Sequence, residues 1–331
     1  MSTEWGIEFR PGKGAFVLSL DTELAWGMLH RGGYAGHELE FERTRYVVER
    51  LLELLVQYNI SATWAVVGKL LEEPPVPGNG AASGSRQRPE WWRTGEDHYW
   101  SAPDIVEKIL ACPVPQEIGC HTYTHMIMGT PGADREALDR EIKHCRNLAR
   151  RRGVTLRSFV YPRNVVSDVD VLEQNGFTAY RGVARSWAWR VPGIAGRVAR
   201  VVEQLLPVAA PVTYPTVHGG IVDLPASTLY LHRNGWAKYL PIRMRVRKSI
   251  ASLHKAALSG GLFHLWTHPF NLASDPDGLL NGLARVFQEV NALRDSGLLV
   301  NHTMAGLAAE AVQFNEGEAG KASVPARSAS Q

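Results

Sequence analysis

The sequence predicts an α/β protein built on a parallel sheet or barrel, and two observations carry this prediction. Short apolar runs with almost no polar interruption recur along the 331 residues, as in strands buried on both faces. Amphipathic stretches with helical spacing separate these runs. The first unit is a strand over 15–20, a helix over 40–58 and a strand over 60–67. Such a βαβ unit is the repeating element of parallel sheets.

The same alternation continues along the chain, with a weaker stretch in its second half. Strands are expected at 116–119, 156–161, 177–180 and 261–268, and helices at 102–111, 133–152, 168–175 and 278–296. Between 190 and 245 Pro and Gly are frequent, and only 220–224 and 228–232 resemble strands.

One domain accounts for most of the chain. We expect it to span 13–312, after an N-terminal extension over 1–12, with an inserted loop over 72–100 and a divergent region over 190–260. Residues 313–331 are rich in Gly, Ala and Ser and are predicted to be disordered.

Composition limits the class of protein. A net charge of +3 with dispersed basic residues does not suggest nucleic-acid binding, and three cysteines without paired spacing indicate neither a disulfide framework nor a Cys-zinc site. The first residues lack a signal-peptide pattern, and no apolar run reaches the ~20 residues of a membrane span. We therefore expect a cytoplasmic protein without a transmembrane segment, and peripheral membrane contact stays open.

The basic residues Arg243, Arg245, Arg247 and Lys248 are expected to form a solvated face, with contact to a phosphate or a lipid surface as the alternative.

Ionisable side chains stand at the carboxyl ends of four predicted strands. These positions are Asp21 and Glu23, His121 and His125, Arg163 and Asn164 after Pro162, and His268. Because the carboxyl ends of parallel strands meet at one edge of a sheet, we expect these groups to form one site.

The spacing of His121 and His125 suits two ligands of one metal ion. On a helical turn, side chains four residues apart project on the same side and can reach a shared ion. Asp21 and Glu23 share one face of an extended chain, and one of them would complete a set of three ligands. The other carboxylate would take a proton from water, since a bound cation relieves the repulsion between the pair.

The remaining ionisable groups fit a hydrolysis. His268 is predicted to protonate a departing amine, and Arg163 to orient the base through a charge-assisted hydrogen bond. The sequence thus predicts metal-assisted hydrolysis of a C–N bond.

Aromatic side chains are the main candidates for substrate contact. The candidates are Trp26, Tyr99, Trp100 and Trp187, together with Asn164. Sugar rings stack on such side chains, and an aromatic cluster closes the loop over 72–100. A loop packed back by its own Trp residues is the alternative.

Three segments resemble motifs of the polysaccharide deacetylases, carbohydrate esterase family 4, which have the NodB-homology fold. They are Ser-Leu-Asp-Thr-Glu over 19–23, His-Thr-Tyr-Thr-His over 121–125 and Leu-Trp-Thr-His over 265–268. The segments over 60–66 and 116–121 are similar to the family's second strand and to the lead into its His motif. The resemblance covers roughly 13–310, with 190–260 poorly matched.

The resemblance implies a distorted (β/α)7–8 barrel and a divalent metal ion. That ion is usually zinc, with Co²⁺, Ni²⁺ and Mn²⁺ as alternatives. By position, Asp21 matches the catalytic base, His121 and His125 match metal ligands, and His268 matches the general acid.

The sequence departs from the family pattern in three places. Thr22 stands where the family has its metal-binding Asp, so Glu23 is expected to supply that ligand in an Asp-x-Glu variant. The opposite assignment, with Asp21 on the metal and Glu23 as base, stays open. Arg163 follows the motif's Pro instead of preceding it, and the family's Asp/Trp motif has no match, so that Trp187 or Trp189 is assigned to that wall.

We therefore expect a metal-dependent N-deacetylase acting on a sugar or sugar-containing intermediate of glycan or natural-product biosynthesis, either a small molecule or lipid-linked. A related amidase acting on a cyclic imide, ureide or formamide is the first alternative, which the Asp-x-Glu variant favours. A catalytically silent sugar-binding module is the second, suggested by Thr22 and the aromatic loop.

Overall fold

The computed structural model describes residues 7–10, 12–31, 33, 35–72, 97–185, 188, 191–206 and 208–322. Eleven strands within these ranges belong to one sheet: β1 (Ile7–Glu8), β2 (Gly14–Thr22), β3 (Thr63–Val66), β4 (Glu117–Cys120), β5 (Ser158–Val160), β6 (Ala179–Gly182), β7 (Thr216–His218), β8 (Ile221–Pro225), β9 (Thr228–Leu229), β10 (Leu262–Thr267) and β11 (Leu299–His302).

The sheet curls into a half-barrel, which confirms the predicted α/β class. Its strand order is β1-β7-β8-β6-β5-β4-β3-β2-β10-β9, and β11 pairs with the start of β2. Pairing is parallel except where β7 joins β1 and β8. The parallel strands therefore end at one common edge, where the predicted site lies.

Strand β2 is the centre of the sheet. Its nine residues are all buried, and it pairs with β10 along one side and with β11 and β3 along the other. Gly14 opens the strand because the backbone of Ala257 lies against it. A Cβ atom there would stand 2.5 Å from the Ala257 Cα. The helix that contains Ala257 therefore packs closely against the start of β2. Asp21 lies at the opposite end of the same strand.

Helices cover the sheet: α1 (Glu38–Gln57), α2 (Asp97–Trp100), α3 (Pro103–Leu110), α4 (Arg135–Arg151), α5 (Val169–Gln174), α6 (Gly193–Leu205), α7 (Ile242–Ser259), α8 (Pro269–Leu272), α9 (Pro276–Asp295) and α10 (Met304–Ala322). Their apolar faces follow the spacing in the sequence. Helix α1, for example, buries Val47, Val48, Leu51, Leu52 and Leu55. Asp134 caps the N-terminus of α4 by accepting a hydrogen bond from the Ala137 N–H.

The structure corrects two predictions for the weaker regions. Helix α6 occupies part of the stretch expected to hold only short strand-like pieces. The tail predicted to be disordered from 313 is helical through Ala322, and Phe314 in it packs on Phe9 with ring centroids 5.3 Å apart. Residues 73–96 of the predicted inserted loop lie outside the described ranges.

The basic cluster at the start of α7 is not a solvated face throughout. The Arg245 guanidinium is buried and donates to four backbone carbonyl oxygens, among them that of Leu231, 2.9 Å from Nε. Lys248 is buried as well, and its Nζ donates to the carbonyl oxygen of Glu203. Buried charges need such partners, so these two residues hold the fold while Arg243 and Arg247 stay exposed.

None of the helices described is both long and apolar enough to cross a lipid bilayer.

Candidate active site

The carboxyl edge of the sheet brings the predicted ionisable groups together. A cavity of about 800 Å³ opens there and is lined by Asp21, Glu23, His121, His125 and His268, among others. Asp21 and Glu23 come from the end of β2, His121 follows β4, and His268 follows β10. The convergence predicted from the strand ends is therefore what the fold produces.

Glu23, His121 and His125 form a compact cluster of metal-ligand atoms. The Glu23 Oε2 atom lies 3.2 Å from the Nε2 atom of His121 and 2.8 Å from the Nε2 atom of His125. All three side chains are buried, and their ligand atoms lie within 4.8 Å of one another. Among the described residues it is the one cluster of three or more His, Cys, Asp or Glu side chains close enough to share an ion.

The ring orientation of His121 suits a metal ligand. Its Nδ1 lies 2.7 Å from the carbonyl oxygen of Val160, and a carbonyl can only accept, so Nδ1 carries the proton. The lone pair is then on Nε2, which points toward Glu23. A backbone acceptor behind a histidine is a common way to fix a metal-binding tautomer.

The two histidines do not lie on a helical turn, which corrects the geometry expected from their spacing. Thr122 and His125 have positive φ values of 56° and 59°, so the segment is an irregular loop. Glu141 on α4 holds this loop: its carboxylate accepts hydrogen bonds from the N–H groups of Tyr123 and Thr124, each 2.7 Å away. The loop, rather than helical periodicity, brings both imidazoles to Glu23.

Asp21 is held by Arg181, a residue that is not among those predicted from the sequence to form the site. The guanidinium nitrogens lie 2.6 and 2.7 Å from the two carboxylate oxygens, and both side chains are buried. Burial alone would raise the pKa of Asp21, but the charge and hydrogen bonds of Arg181 outweigh it and lower the pKa below its ordinary value. Asp21 is therefore an ionised carboxylate.

The orienting role predicted for Arg163 is wrong, because this guanidinium donates to Nε2 of His30 and not to Asp21. Arg163 and Asn164 have φ values of 58° and 55°, which turn the chain sharply after Pro162. Asn164 lies on the cavity wall, and its Oδ1 accepts from Arg181 at 2.9 and 3.1 Å. The turn after β5 thus supports the arginine of β6.

A second layer of buried polar groups completes the support of Arg181. The Ser19 Oγ atom lies 3.0 Å from an Arg181 nitrogen and 2.9 Å from Nε2 of His264. Nδ1 of His264 lies 3.2 Å from the carbonyl oxygen of Leu224, which makes Nδ1 the protonated nitrogen. Ser19 therefore donates to His264 and accepts from Arg181.

His268 faces both carboxylates. Its Nε2 lies 3.3 Å from Glu23 Oε1 and 3.8 Å from Asp21 Oδ2. The side-chain amide nitrogen of Asn271 lies 2.9 Å from Nδ1, so the amide donates there and the neutral ring carries its proton on Nε2. This is the nitrogen that faces the cavity's acidic groups.

Glu23 is ionised despite its burial. Burial by itself raises its pKa, but the electrostatic influence of the neighbouring His268 and His125 outweighs burial and lowers the pKa well below the ordinary value. A buried carboxylate between two imidazole nitrogens is the donor set that zinc-class ions take in catalytic sites. The residues present therefore fit a divalent metal ion.

Three of the four aromatic residues predicted to contact substrate, Trp26, Tyr99 and Trp100, are core residues. Trp26 and Trp100 are buried and pack edge to face, and the Trp26 Nε1–H donates to the Trp100 carbonyl oxygen at 2.9 Å. Tyr99 is buried too, with its hydroxyl 3.1 Å from Glu42 Oε1. Trp187 lies outside the described residues. The cavity is instead lined by Trp236, Trp266 and Phe270.

Comparison with protein families confirms the resemblance seen in the motifs. Residues 37–180 match the family model described as "Polysaccharide deacetylase". The matched segment contains His121 and His125, whereas Asp21, Glu23 and His268 lie outside it. No curated protein sequence matches the chain.

Solved structures share the fold at low sequence identity. A Mycobacterium smegmatis protein classed as a polysaccharide deacetylase has a TM-score of 0.64 and 18% identity, with 95% of this chain and 96% of that chain covered. A Pseudomonas aeruginosa protein of the same class has a TM-score of 0.55 and 11% identity, covering 85% and 87%. A 4-α-glucanotransferase from Thermococcus litoralis has a TM-score of 0.51 and 14% identity, covering 88% of this chain and 40% of the other. These likenesses establish the half-barrel fold.

Proposed function

We propose that this chain, a member of the polysaccharide deacetylase family, is a metal-dependent hydrolase that removes an N-acetyl group from a sugar or a sugar-containing biosynthetic intermediate. One observation supports this above the others. A Glu23–His121–His125 cluster, an ionised Asp21 and His268 face one cavity. These are the groups that amide hydrolysis needs.

In this proposal Glu23, His121 and His125 hold the ion, with Zn²⁺ as the expected metal and Co²⁺, Ni²⁺ or Mn²⁺ as substitutes. A divalent ion bound there would polarise the amide carbonyl and lower the pKa of water. Asp21 is kept out of the ligand set because Arg181 occupies both of its oxygens. This arrangement favours Glu23 as ligand and Asp21 as base over the opposite assignment.

The chain's own groups then move two protons. Asp21 takes the proton of the attacking water, and Arg181 keeps that carboxylate ionised and correctly turned. His268 acts in its imidazolium form: it gives a proton from Nε2 to the departing amine and is left as neutral imidazole, while the side chain of Asn271, 2.9 Å from Nδ1, holds the ring in place. The cavity is larger than a single sugar ring requires, so it has room for the group that carries the sugar.

Acetate release from a panel of N-acetylhexosamine derivatives tests this function. We expect the zinc-loaded protein to release acetate, Asp21→Asn to lose ~10²–10⁴-fold in rate, and the exposed control Asp277→Asn to match the wild type. Hydrolysis of a cyclic imide, ureide or formamide, with no acetate released from the N-acetylhexosamines, would move the assignment to an amidase. Sugar binding without turnover would indicate a silent module. The cytoplasmic location expected from the sequence stays a prediction, which cell fractionation would test.

A further inference from the structure

The exposed face of α6 carries a row of apolar side chains that leads to the cavity. Ile194, Val198 and Val202 are spaced four residues apart and are 73%, 57% and 40% exposed, so they lie along one side of the helix. Leu206 extends the row past the helix end and Val208 follows it. Both are exposed, and both line the cavity.

A second exposed apolar group flanks the same opening. Trp236 and Tyr239 belong to the short 3-10 segment Gly235–Tyr239 and are 46% and 78% exposed. Trp236 also lines the cavity. We call this surface the mouth patch. It consists of Ile194, Val198, Val202, Leu206, Val208, Trp236 and Tyr239.

Exposed cations accompany the mouth patch. The chain from 235 to 248 has no Asp or Glu, and three of its five Lys and Arg residues are exposed, namely Lys238, Arg243 and Arg247. Lys238 Nζ lies 5.0 Å from the ring centroid of Tyr239. Arg243 and Arg247 are exposed one turn apart on α7, and Lys248, next in the chain, bonds the backbone of α6. The cations and the apolar row are therefore on neighbouring elements.

We propose that the mouth patch docks on an anionic lipid bilayer and that the sugar substrate is carried on a lipid in that bilayer. A helix with an exposed apolar row, an exposed Trp and Tyr near the same cavity, and cations on the neighbouring helix resembles segments that lie in a membrane interface. Leu206, Val208 and Trp236 of the patch line the same cavity as Glu23, so a lipid-linked sugar could reach Glu23 while its carrier stays in the bilayer. The substrate class rests on the proposed function, whereas docking does not.

Charge favours a bilayer over a second copy of this chain. In a two-fold dimer the same patch meets itself, which would bring the Lys238, Arg243 and Arg247 groups of both copies together. An anionic surface instead attracts each of these cations. Docking of this kind weakens as salt screens the charges.

Vesicle cosedimentation of the full chain, without substrate, tests the docking. The vesicles contain phosphatidylcholine alone or phosphatidylcholine mixed with phosphatidylserine. We expect binding to the mixed vesicles, reduced by salt, and weakened at least about tenfold by Ile194→Ser/Val198→Ser. Arg243→Gln/Arg247→Gln should weaken it about fivefold per cation. The control Leu110→Ser/Leu258→Ser removes similarly exposed apolar groups at the far ends of α3 and α7, and should bind as the wild type does.

Three results would overturn the proposal. The first is no binding to either kind of vesicle, and the second is an equal loss of vesicle binding in the control variant. The third is a concentration-dependent dimer that Ile194→Ser/Val198→Ser abolishes, because the patch would then be an interface between two copies of the chain. Neither residue lines the cavity, so this variant should hydrolyse a water-soluble substrate normally. Loss of docking with hydrolysis intact separates this inference from the proposed function.

Discussion

Arg181 and Asp21 are 160 positions apart in the chain and form a two-pronged ion pair inside the half-barrel. Strands β3, β4 and β5 separate β6 from β2 in the sheet, so the arginine reaches across the barrel interior. Its guanidinium also lies 4.4 Å from the ring centroid of Trp266. The pair fixes one carboxylate of the site and leaves Glu23 to face the imidazoles.

Replacing Arg181 should therefore cost both stability and activity. Arg181→Met leaves the Asp21 carboxylate buried without its partner, and we expect a loss of about 3–5 kcal/mol in the free energy of unfolding. Arg163→Met removes an exposed side chain bonded to His30 and should change that free energy by less than ~0.5 kcal/mol. Denaturant unfolding compares the two variants, and equal losses would contradict the role given to Arg181.

His264 should make the protein less stable as the pH falls. Burial, together with the charge of Arg181, lowers its pKa from 6.5 to about 3. Between these values the unfolded chain binds a proton that the folded protein excludes, so stability is full above pH 6.5 and declines as the pH drops toward 3. From pH 7 to pH 5 the wild type should lose ~2 kcal/mol more than His264→Gln.

Denaturant titrations at both pH values measure this difference. His254→Gln, which removes a half-exposed histidine paired with Glu289, is the control and should keep the wild-type pH dependence. If the wild type and His264→Gln lose the same free energy of unfolding between pH 7 and pH 5, His264 binds its proton equally well in the folded and unfolded states, which contradicts the prediction.

The role of His268 as proton donor can be separated from that of Asp21 by the leaving group. An amine must be protonated as it departs, whereas p-nitrophenolate leaves without a proton. We expect His268→Ala to slow amide hydrolysis about 10²–10⁴-fold and to affect p-nitrophenyl acetate hydrolysis far less. Asp21→Asn should slow both substrates alike. A similar loss on both substrates in His268→Ala would argue against proton donation by this residue.

Glu141 should act on metal affinity although it touches no ligand atom. Its carboxylate accepts from two N–H groups and the Thr124 hydroxyl in the loop between the histidines. We expect Glu141→Ala to weaken metal binding about 10–100-fold, as removal of supporting groups commonly does. Glu136→Ala, on an exposed position of the same helix, is the matched control. Competition with a chromogenic chelator measures both affinities, and unchanged binding in Glu141→Ala would refute this role.

Much of the fold could be predicted because buried strands leave a plain signal. Strand β2 is buried on both faces, and its run from 15 to 20 is apolar apart from Ser19, which bonds inside the barrel. Strand β11 and helix α6 were missed. The two residues Asn301 and His302 make β11 look polar, and Ile194, Val198 and Val202 of α6 are exposed, so they do not follow the inward-facing apolar pattern by which a helix is recognised in a sequence.

The convergence of the candidate site residues could be predicted, but the groups that support them could not. Strand ends indicated Asp21, Glu23 and the histidines, since chain topology alone carries those positions to one edge. The sequence gives only one indication of the role of Arg181, because a charged residue follows a predicted buried strand there. Such a charge needs a buried partner, but the sequence does not show which residue that partner is. Trp26 and Trp100 could be assigned to the core only once their packing was known, because sequence does not tell a stacking platform from a packed pair.

Metal content and acetate release, measured together in Glu23→Gln and Asp21→Asn, test the central claim most directly. If Glu23, His121 and His125 hold the ion and Asp21 is the base, Glu23→Gln loses both metal and turnover. Asp21→Asn, in contrast, keeps about one ion per chain and loses turnover alone. Loss of metal in Asp21→Asn with retention in Glu23→Gln would reverse the two roles, and a wild type that binds no ion after reconstitution would contradict the account.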